Sequence, residues 1–192
     1  MNLESNQILS DSDLIKGSID GIRHIQEMLY KKFSGKMYGV CLRYAGNEND
    51  ANDIMQDGFI KVFNNLEKFR GDGSFEGWIR RIIVNTSIEH FRRKKKTFNI
   101  TETQEDYIED TSLDALDVLA TKDLMHIINE LPPGYKMVFN MHIIEGYSHK
   151  EIADTLGITE GTSKSQLARA KGVLRKIIED RVNPSDLNKI IS

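Results

Sequence analysis

The segment between Ser148 and Ile177 contains residues that predict both ends of a short helix and the start of a longer one. Few folds are compatible with this arrangement. Ser148 and Glu151 have the spacing of a capping box, in which each side chain satisfies a free backbone amide at a helix start. Gly157 suits the left-handed backbone that ends a helix, and Thr159 is placed to cap the helix that follows. The pattern predicts a helix-turn-helix unit.

The longer helix of this unit has two different faces. Its apolar and small positions, spaced by four, three, four and three residues, predict a core-facing seam: Ser163, Leu167, Ala170, Leu174 and Ile177. The opposite face and its flanks carry short polar and basic side chains, of the kind that meet phosphates and base edges in the DNA major groove. These are Thr162, Lys164, Ser165, Gln166 and Arg169. The pattern predicts DNA binding; the alternative is a helical hairpin whose outer face is only solvated.

The composition extends the helical prediction to the whole chain. The 192 residues include only three prolines and fourteen glycines, too few for the many turns of an all-β fold. The single cysteine, Cys41, excludes an intrachain disulfide, and its place on an apolar helix face predicts a packing role. No apolar run is long enough to cross a bilayer, and the start of the chain lacks the features of an export signal. We therefore expect a cytoplasmic, all-α protein without membrane insertion.

The net charge of −3 conceals an alternation of basic and acidic blocks. Residues 70–96 hold eight basic and three acidic side chains, and residues 160–181 hold six basic and three acidic ones. Between them, residues 97–123 hold eight acidic side chains and one basic one, without hydrophobic periodicity. A local basic patch concentrates phosphate-bearing ligands even on an anionic protein, although each block has a solvated surface as its alternative. The acidic segment is typical of a flexible linker.

The part of the chain before the linker shows three helical patterns. Residues 20–45 predict one or two amphipathic helices, with a break near Ser34–Gly35. Residues 49–66 predict a helix with one apolar side and a separate stripe of acidic side chains, which suits a helix start and also a contact surface. Ser74 is placed to cap a third helix that ends in the basic run of residues 92–96. These patterns predict a second small helical domain.

Two segments, in this order and at about the right distance apart, are similar to one known family. Residues 50–96 read DANDIMQDGFIKVFNNLEKFRGDGSFEGWIRRIIVNTSIEHFRRKKK, and residues 131–175 read LPPGYKMVFNMHIIEGYSHKEIADTLGITEGTSKSQLARAKGVLR. They resemble regions two and four of bacterial RNA polymerase sigma factors of the extracytoplasmic-function type. In that family region two binds the polymerase clamp and opens the minus ten promoter element, and region four reads the minus thirty-five element.

The resemblance implies an all-α chain of two small helical domains joined by an acidic flexible linker, with a helix-turn-helix in the second. We expect a tail at residues 1–19, a region-two domain at 20–96, the linker at 97–120, a region-four domain at 121–182 and a tail at 183–192. The alternative for the first tail is a short helix within residues 11–18.

The resemblance also implies three groups of site residues. The group that docks on the polymerase clamp is Asp53, Gln56, Asp57 and Phe59. The group that captures an unpaired promoter base and grips the separated strand is Arg70, Phe75, Trp78, Arg81, Asn85, Glu89, Arg92 and Arg93. The group that reads the minus thirty-five element is Thr162, Lys164, Ser165, Gln166 and Arg169. For Trp78 the alternative is core packing. Ser163 stands where the family more often has Val, and Gln166 where Arg is frequent, so promoter preference stays open.

The function implied is that of a sigma factor that binds core RNA polymerase, recognises both promoter elements and helps to melt the DNA. The implied partners are promoter DNA, core RNA polymerase and an anti-sigma factor; we expect a monomer when free, with no cofactor, metal or catalytic residue. The alternative is a helix-turn-helix regulator of duplex DNA with an N-terminal sensing or interaction domain. An enzyme is disfavoured because no HExxH, phosphate-binding loop or nucleophile motif accompanies His126, His142 and His149.

The acidic linker suggests a regulatory hypothesis. Its 24 residues reach at most about 80 Å at about 3.3 Å per residue, so two weakly binding domains could engage one duplex together. In the free protein the same negative charge would compete with DNA for the basic block of residues 70–96. We expect mild autoinhibition that polymerase relieves.

Overall fold

The computed structural model describes residues 9–97 and 126–181, and every regular element in these two ranges is helical. The chain divides into two compact units, Met1–His90 and Phe91–Ser192. The all-α prediction is therefore confirmed. The C-terminal tail of the sequence prediction lies outside the described residues, and so does the linker apart from Thr97, which is helical. No described helix combines the length and apolar character that crossing a bilayer demands.

Helix α1, Asp11–Ile19, begins at a capping box, in which the Asp13 amide donates to Ser10 Oγ and the Ser10 amide donates to the Asp13 carboxylate. The helix packs on α2, with Gly17 against the side chain of Ile25, and its Leu14 is 2% exposed. The sequence left a tail and a short helix open for this segment, and the structure shows the helix, because Leu14 has a core to enter.

Helix α2, Arg23–Tyr44, runs without a break through Ser34–Gly35. Its buried positions continue on one face across that point: Leu29, Phe33, Met37, Val40, Cys41 and Tyr44. Gly35 is exposed and faces open space, so it costs helix propensity without disturbing the packing. The predicted break is wrong because burial of the continuous face outweighs the weak helix preference of two residues.

Helix α3, Glu48–Asn64, and helix α4, Phe75–Thr97, as far as His90, complete the first unit, with a 3₁₀ turn, Leu66–Lys68, between the two helices. The predicted cap of α4 is present, because the Gly77 amide donates to Ser74 Oγ at 3.1 Å. The two helices approach closely at Gly58, where a Cβ atom would overlap Ile83 Cδ1. This close approach brings the last turn of α3 beside the exposed side of α4.

The second unit contains helical residues 126–129, helix α5, Pro133–Phe139, a π-helical turn, Asn140–Ile144, and helices α6, His149–Leu156, and α7, Glu160–Arg181. Its core is formed by α5, α6 and α7 together with Ile127, Ile128 and Leu131. Arg181 at the end of α7 donates to both carboxylate oxygens of Glu130, at 2.6 and 2.8 Å.

The helix-turn-helix geometry follows the sequence signals. The Ser148–Glu151 capping box begins α6, and Gly157 ends it with a φ of 67°. Thr159 Oγ1 accepts from the Thr162 amide at 3.0 Å and so caps α7. The seam of α7 is buried as predicted except at its end, where Ile178 rather than Ile177 enters the core.

Candidate nucleic-acid interface

An open groove of about 310 Å³ lies between the last turn of α3 and one face of α4. Its lining combines cations, amides, a hydroxyl, a carboxylate and an indole ring: Lys61, Asn65, Lys68, Trp78, Ile82, Asn85, Thr86 and Glu89. Three of these, Trp78, Asn85 and Glu89, are sequence-predicted site residues, and the structure brings them together. A site of this kind offers donors, acceptors and one aromatic surface within a single concave space.

The polar side of the groove is held by contacts among its own residues. Asn65 caps the end of α3, and its Nδ2 donates to the Lys61 carbonyl at 2.7 Å while its Oδ1 accepts from Lys68 Nζ at 2.6 Å. Lys61 Nζ pairs with Glu89 Oε2 at 2.7 Å. In contrast, the amide of Asn85 is exposed and has no hydrogen bond to any residue that the structure describes. Asn85 is therefore ready to bind a ligand, while both lysines are already engaged.

Three aromatic rings support one end of the groove. Phe75 packs edge-on against Phe33, with ring centroids 5.5 Å apart, and stacks on Trp78 at 5.8 Å. Phe69 contacts both Phe75 and Trp78, at 5.1 and 5.6 Å. Helical periodicity in the sequence does not distinguish the roles of Phe75 and Trp78, but their burial does. Phe75 is 3% exposed, whereas Trp78 is half-buried and lines the groove. The prediction of Phe75 as a DNA contact is corrected to a packing role beneath Trp78.

The basic residues predicted to grip DNA lie on exposed positions. Arg81, Asn85, Glu89 and Arg92 follow one another at spacings of four, four and three along α4, so they share one helix face. Arg93 is exposed beside Arg92, and Arg70 is exposed in the loop that precedes α4. The exposed face of α4 therefore continues from the groove to the basic end of the helix.

The residues predicted to dock on polymerase divide into two sets. Asp53, Gln56 and Asp57 are exposed on the outer face of α3. Phe59 is 3% exposed and packs against Tyr30, with ring centroids 4.7 Å apart, so its side chain belongs to the core and not to the outer face of α3. Ile60, which the sequence prediction missed, is 51% exposed on the same outer face. On a helix its neighbours Gln56, Asp57 and Asn64 are polar, and this was the signal in the sequence that could have revealed its exposure.

The predicted reading residues surround the first turns of α7. Lys164 is exposed and pairs with Glu160 at 2.9 Å, which holds the pKa of the Glu160 carboxyl below its usual value. Thr162 and Ser165 are half-buried, and the Ser165 hydroxyl donates to the Thr162 carbonyl at 3.0 Å. Gln166 lies beside α5, where a Cβ at Gly134 would be 3.6 Å from its amide. Arg169 is half-buried one turn farther along the helix.

Two histidines behind this surface were not predicted to have a role. His149 Nδ1 lies 2.9 Å from the hydroxyl of Ser163, and the His149 ring stacks on His142 with centroids 4.3 Å apart. The sequence weighed both histidines only as members of a catalytic site. Helical periodicity placed Ser163 in the core seam but could not show which residue satisfies its hydroxyl.

One group of metal-ligating side chains occurs in the described ranges. Ligand atoms of Asp50, Asp53 and His90 lie within 4.8 Å of one another. Asp50 already accepts a hydrogen bond from Asn47 Nδ2 at 3.2 Å in the cap of α3. These contacts fit the start of a helix, and no further feature of the described residues points to a bound ion there.

Comparison with known proteins identifies the family. Residues 29–97 match the family described as Sigma-70 region 2, and residues 121–174 match Sigma-70, region 4. The chain is 30% identical to the RNA polymerase sigma factor SigV of Bacillus subtilis over 138 residues, which cover 72% of this chain and 81% of that protein. It is 29% identical to the ECF RNA polymerase sigma-E factor of Haemophilus influenzae over 188 residues, 92% of this chain and 97% of that protein.

A solved structure of the sigma factor RpoE in complex with the anti-sigma factor NepR, from Bartonella quintana, is similar with a TM-score of 0.47 and 16% identity. The similarity covers 81% of this chain and 98% of that one. On the family matches and the curated relatives, the chain belongs to the extracytoplasmic-function RNA polymerase sigma factors, a family of transcription initiation factors.

Proposed function

We propose that this protein binds bacterial core RNA polymerase, recognises the minus thirty-five and minus ten promoter elements and helps to melt the DNA between binding and initiation. The observation that carries the proposal is the groove beside α4, on a chain that also has a helix-turn-helix unit. A regulator that binds only intact duplex needs the second of these features but not the first.

The groove is proposed to hold one unpaired base of the minus ten element. A base that leaves the stack must regain a few kcal/mol from its new surroundings, and stacking on an aromatic side chain supplies about 1–3 kcal/mol. Trp78 offers that surface, and the free amide of Asn85 can pair with a base edge. Asn65 and the ammonium group of Lys68 border the same space.

The exposed face of α4 is proposed to hold the separated strand next to the captured base. Arg81 and Arg92 flank Asn85 and Glu89 on this face, and Arg93 and Arg70 add positive charge near its two ends. Cationic side chains that follow a single strand bind its phosphates without regard to sequence. We expect this set to affect DNA opening more than promoter choice.

The outer face of α7 is proposed to read the minus thirty-five element. Lys164, Arg169 and Gln166 can reach phosphates or base edges from the major groove, and Thr162 and Ser165 permit close approach. In the free protein Lys164 pairs with Glu160 at an exposed position, where an ion pair is weak and easily exchanged for a phosphate.

Core polymerase is proposed to dock on the outer face of α3 through Asp53, Gln56 and Asp57, with Ile60 adding apolar area. Phe59 holds this helix in place from below. An anti-sigma factor that covers these surfaces is the partner that family membership implies. We further propose that the protein acts in the cytoplasm and is a monomer when it is not bound to a partner. It needs no cofactor and has no catalytic activity of its own.

Run-off transcription with core enzyme, on a promoter selected from random DNA, tests the proposal. We expect Asn85→Ala and the double variant Arg92→Ala/Arg93→Ala to retain promoter binding but lose permanganate-reactive thymines at the minus ten element. Lys164→Ala should lose promoter binding itself, whereas Lys31→Ala, an exposed lysine on α2, should behave as wild type.

Two results would contradict the proposal. If the wild-type protein with core enzyme yields no promoter-specific transcript, it is not a sigma factor of this kind. If it binds duplex sites equally well without polymerase and never opens them, the regulator alternative is correct.

A further inference from the structure

Ser163 carries a hydroxyl that is fully buried in the first turns of α7, at 0% exposure. Its partner is His149, the first residue of α6, whose Nδ1 lies 2.9 Å from Ser163 Oγ. A buried polar group without a partner is costly, so this hydroxyl depends on the imidazole. The contact joins the start of one helix of the helix-turn-helix to the start of the other.

The imidazole of His149 is itself held from behind. The His142 ring lies almost parallel to it, with centroids 4.3 Å and planes 16° apart. His142 Nδ1 is 2.8 Å from the carbonyl oxygen of Tyr147, and because a carbonyl only accepts, His142 must donate its Nδ1–H. This bond fixes the ring plane of His142, and stacking against His142 in turn restricts the orientation of the His149 ring.

The charges around His149 favour the neutral ring. Burial lowers the pKa of His149 below its usual value, and His142, Lys164 and Lys171 lower it further, while Glu160 acts in the opposite direction. At neutral pH the His149 imidazole is therefore uncharged, and Nδ1 either accepts from or donates to the Ser163 hydroxyl. Both forms satisfy the buried oxygen.

We propose that His149 is a positioning residue for promoter recognition, which acts through Ser163 to fix the first turns of α7 and so the approach of Thr162, Lys164 and Ser165 to the minus thirty-five element. The inference rests on the proposed function. Ser163 lies directly between Thr162 and Lys164, so any rotation of α7 about this contact moves the neighbouring side chains on the DNA-facing side. Sites of recognition lose selectivity when their supporting contacts loosen by about 1 Å.

The test uses the full chain bound to core polymerase and a pool of duplex promoters with a randomised minus thirty-five hexamer. The variants are His149→Phe, which keeps an aromatic ring against His142, Ser163→Ala, and the two combined. His24→Phe, an exposed histidine of the other unit, is the matched control. Sequencing of the bound fraction gives the enrichment of every hexamer, and urea unfolding monitors stability.

We expect His149→Phe to lower the enrichment of preferred hexamers about tenfold, within the range of one mismatched base pair, and to broaden the preference at the bases nearest the start of α7. Ser163→Ala should have a smaller effect. The combined variant should recover part of the selectivity lost in His149→Phe, because no buried hydroxyl is then left unsatisfied.

The inference is overturned if the variants bind all hexamers more weakly to the same extent, because His149 then has a structural role only. Purely additive effects in the combined variant would lead to the same conclusion. Unchanged preference in the single variants would do the same. If His149→Phe does not fold, Ser163→Ala decides alone, and a preference equal to that of wild type rejects the inference. If the wild-type protein itself enriches no hexamer, the proposed function fails first and this inference falls with it.

Discussion

Cys41 is an example of a residue whose chemistry is set entirely by its surroundings. Its side chain is fully buried on α2, and burial raises the pKa of the thiol to about 12. A thiol that stays protonated is a poor nucleophile. The residue therefore acts as a small apolar side chain in the core of the first unit.

We predict that Cys41 resists alkylation by iodoacetamide in the native protein at pH 8.5 and reacts fully in concentrated urea. Because the folded pKa lies above that of an unfolded cysteine, this group favours folding below the unfolded pKa of 9.0, and the contribution is lost as the pH rises towards 12. Mass spectrometry of the labelled chain measures the reaction, and Cys41→Ala provides the blank. Rapid labelling without denaturant would show that the core is open at this point.

At the scale of an element, the contact between α3 and α4 depends on the absence of a side chain at Gly58. We predict that Gly58→Ala lowers the free energy of unfolding by about 1–3 kcal/mol, because the new methyl group overlaps Ile83 in a filled core. Urea denaturation of the full chain measures the change.

Gly39→Ala is the control for that experiment. Gly39 lies within α2 and faces open space, so alanine should raise stability by up to about 1 kcal/mol through helix propensity alone. If both substitutions stabilise the protein, α3 and α4 are not packed as closely as the structure has them.

The turn between α6 and α7 depends on a glycine in the left-handed conformation. Gly157 has a φ of 67°, which costs other L-residues about 1–2 kcal/mol, so Gly157→Ala should destabilise the second unit by about that amount. Gly161→Ala, at an ordinary helical position of α7, should not destabilise it. Thermal unfolding followed by circular dichroism compares the two, and equal effects would argue against a left-handed residue in this turn.

Local signals in the sequence were sufficient for the helix ends of the second unit, because Ser148, Glu151, Gly157 and Thr159 act on backbone groups within a few residues of themselves. They were insufficient wherever the neighbour comes from another helix. Lys61 enters the groove only because α3 packs on α4 at Gly58, and His149 meets Ser163 only across a turn. The same reason explains Phe59 and Phe75, which were predicted as contact residues but whose side chains face the core.

At the scale of the whole molecule, the distribution of charge predicts how DNA binding responds to the linker. We expect neutralisation of Glu102, Glu105, Asp106, Glu109 and Asp110 to strengthen DNA binding by the isolated protein at low salt. These residues lie outside the described ranges, and the prediction rests on their charge alone. Fluorescence anisotropy with a labelled promoter duplex, at about 50 mM and 200 mM salt, separates this effect from ordinary screening.

The control for the linker experiment neutralises an equal number of acidic side chains on the first unit away from α4. Equal gains from both variants would mean that only the net charge matters, and an unchanged affinity at low salt would reject autoinhibition.

The two-domain organisation itself was predictable, because composition and periodicity change abruptly at the linker. The details of promoter preference were not, because Ser163 and Gln166 depart from the usual residues of the family.

Both lysines of the groove beside α4 contact neighbouring side chains, Lys61 that of Glu89 and Lys68 that of Asn65. A ligand that binds either lysine must therefore replace the contact that this lysine makes with Glu89 or Asn65. Under the proposed function, a base that is part of a strand also brings neighbouring phosphates within reach of Arg81 and Arg92, and a free nucleotide does not. If the groove captures a base as proposed, these internal contacts favour a base that is still part of a DNA strand over a free nucleotide.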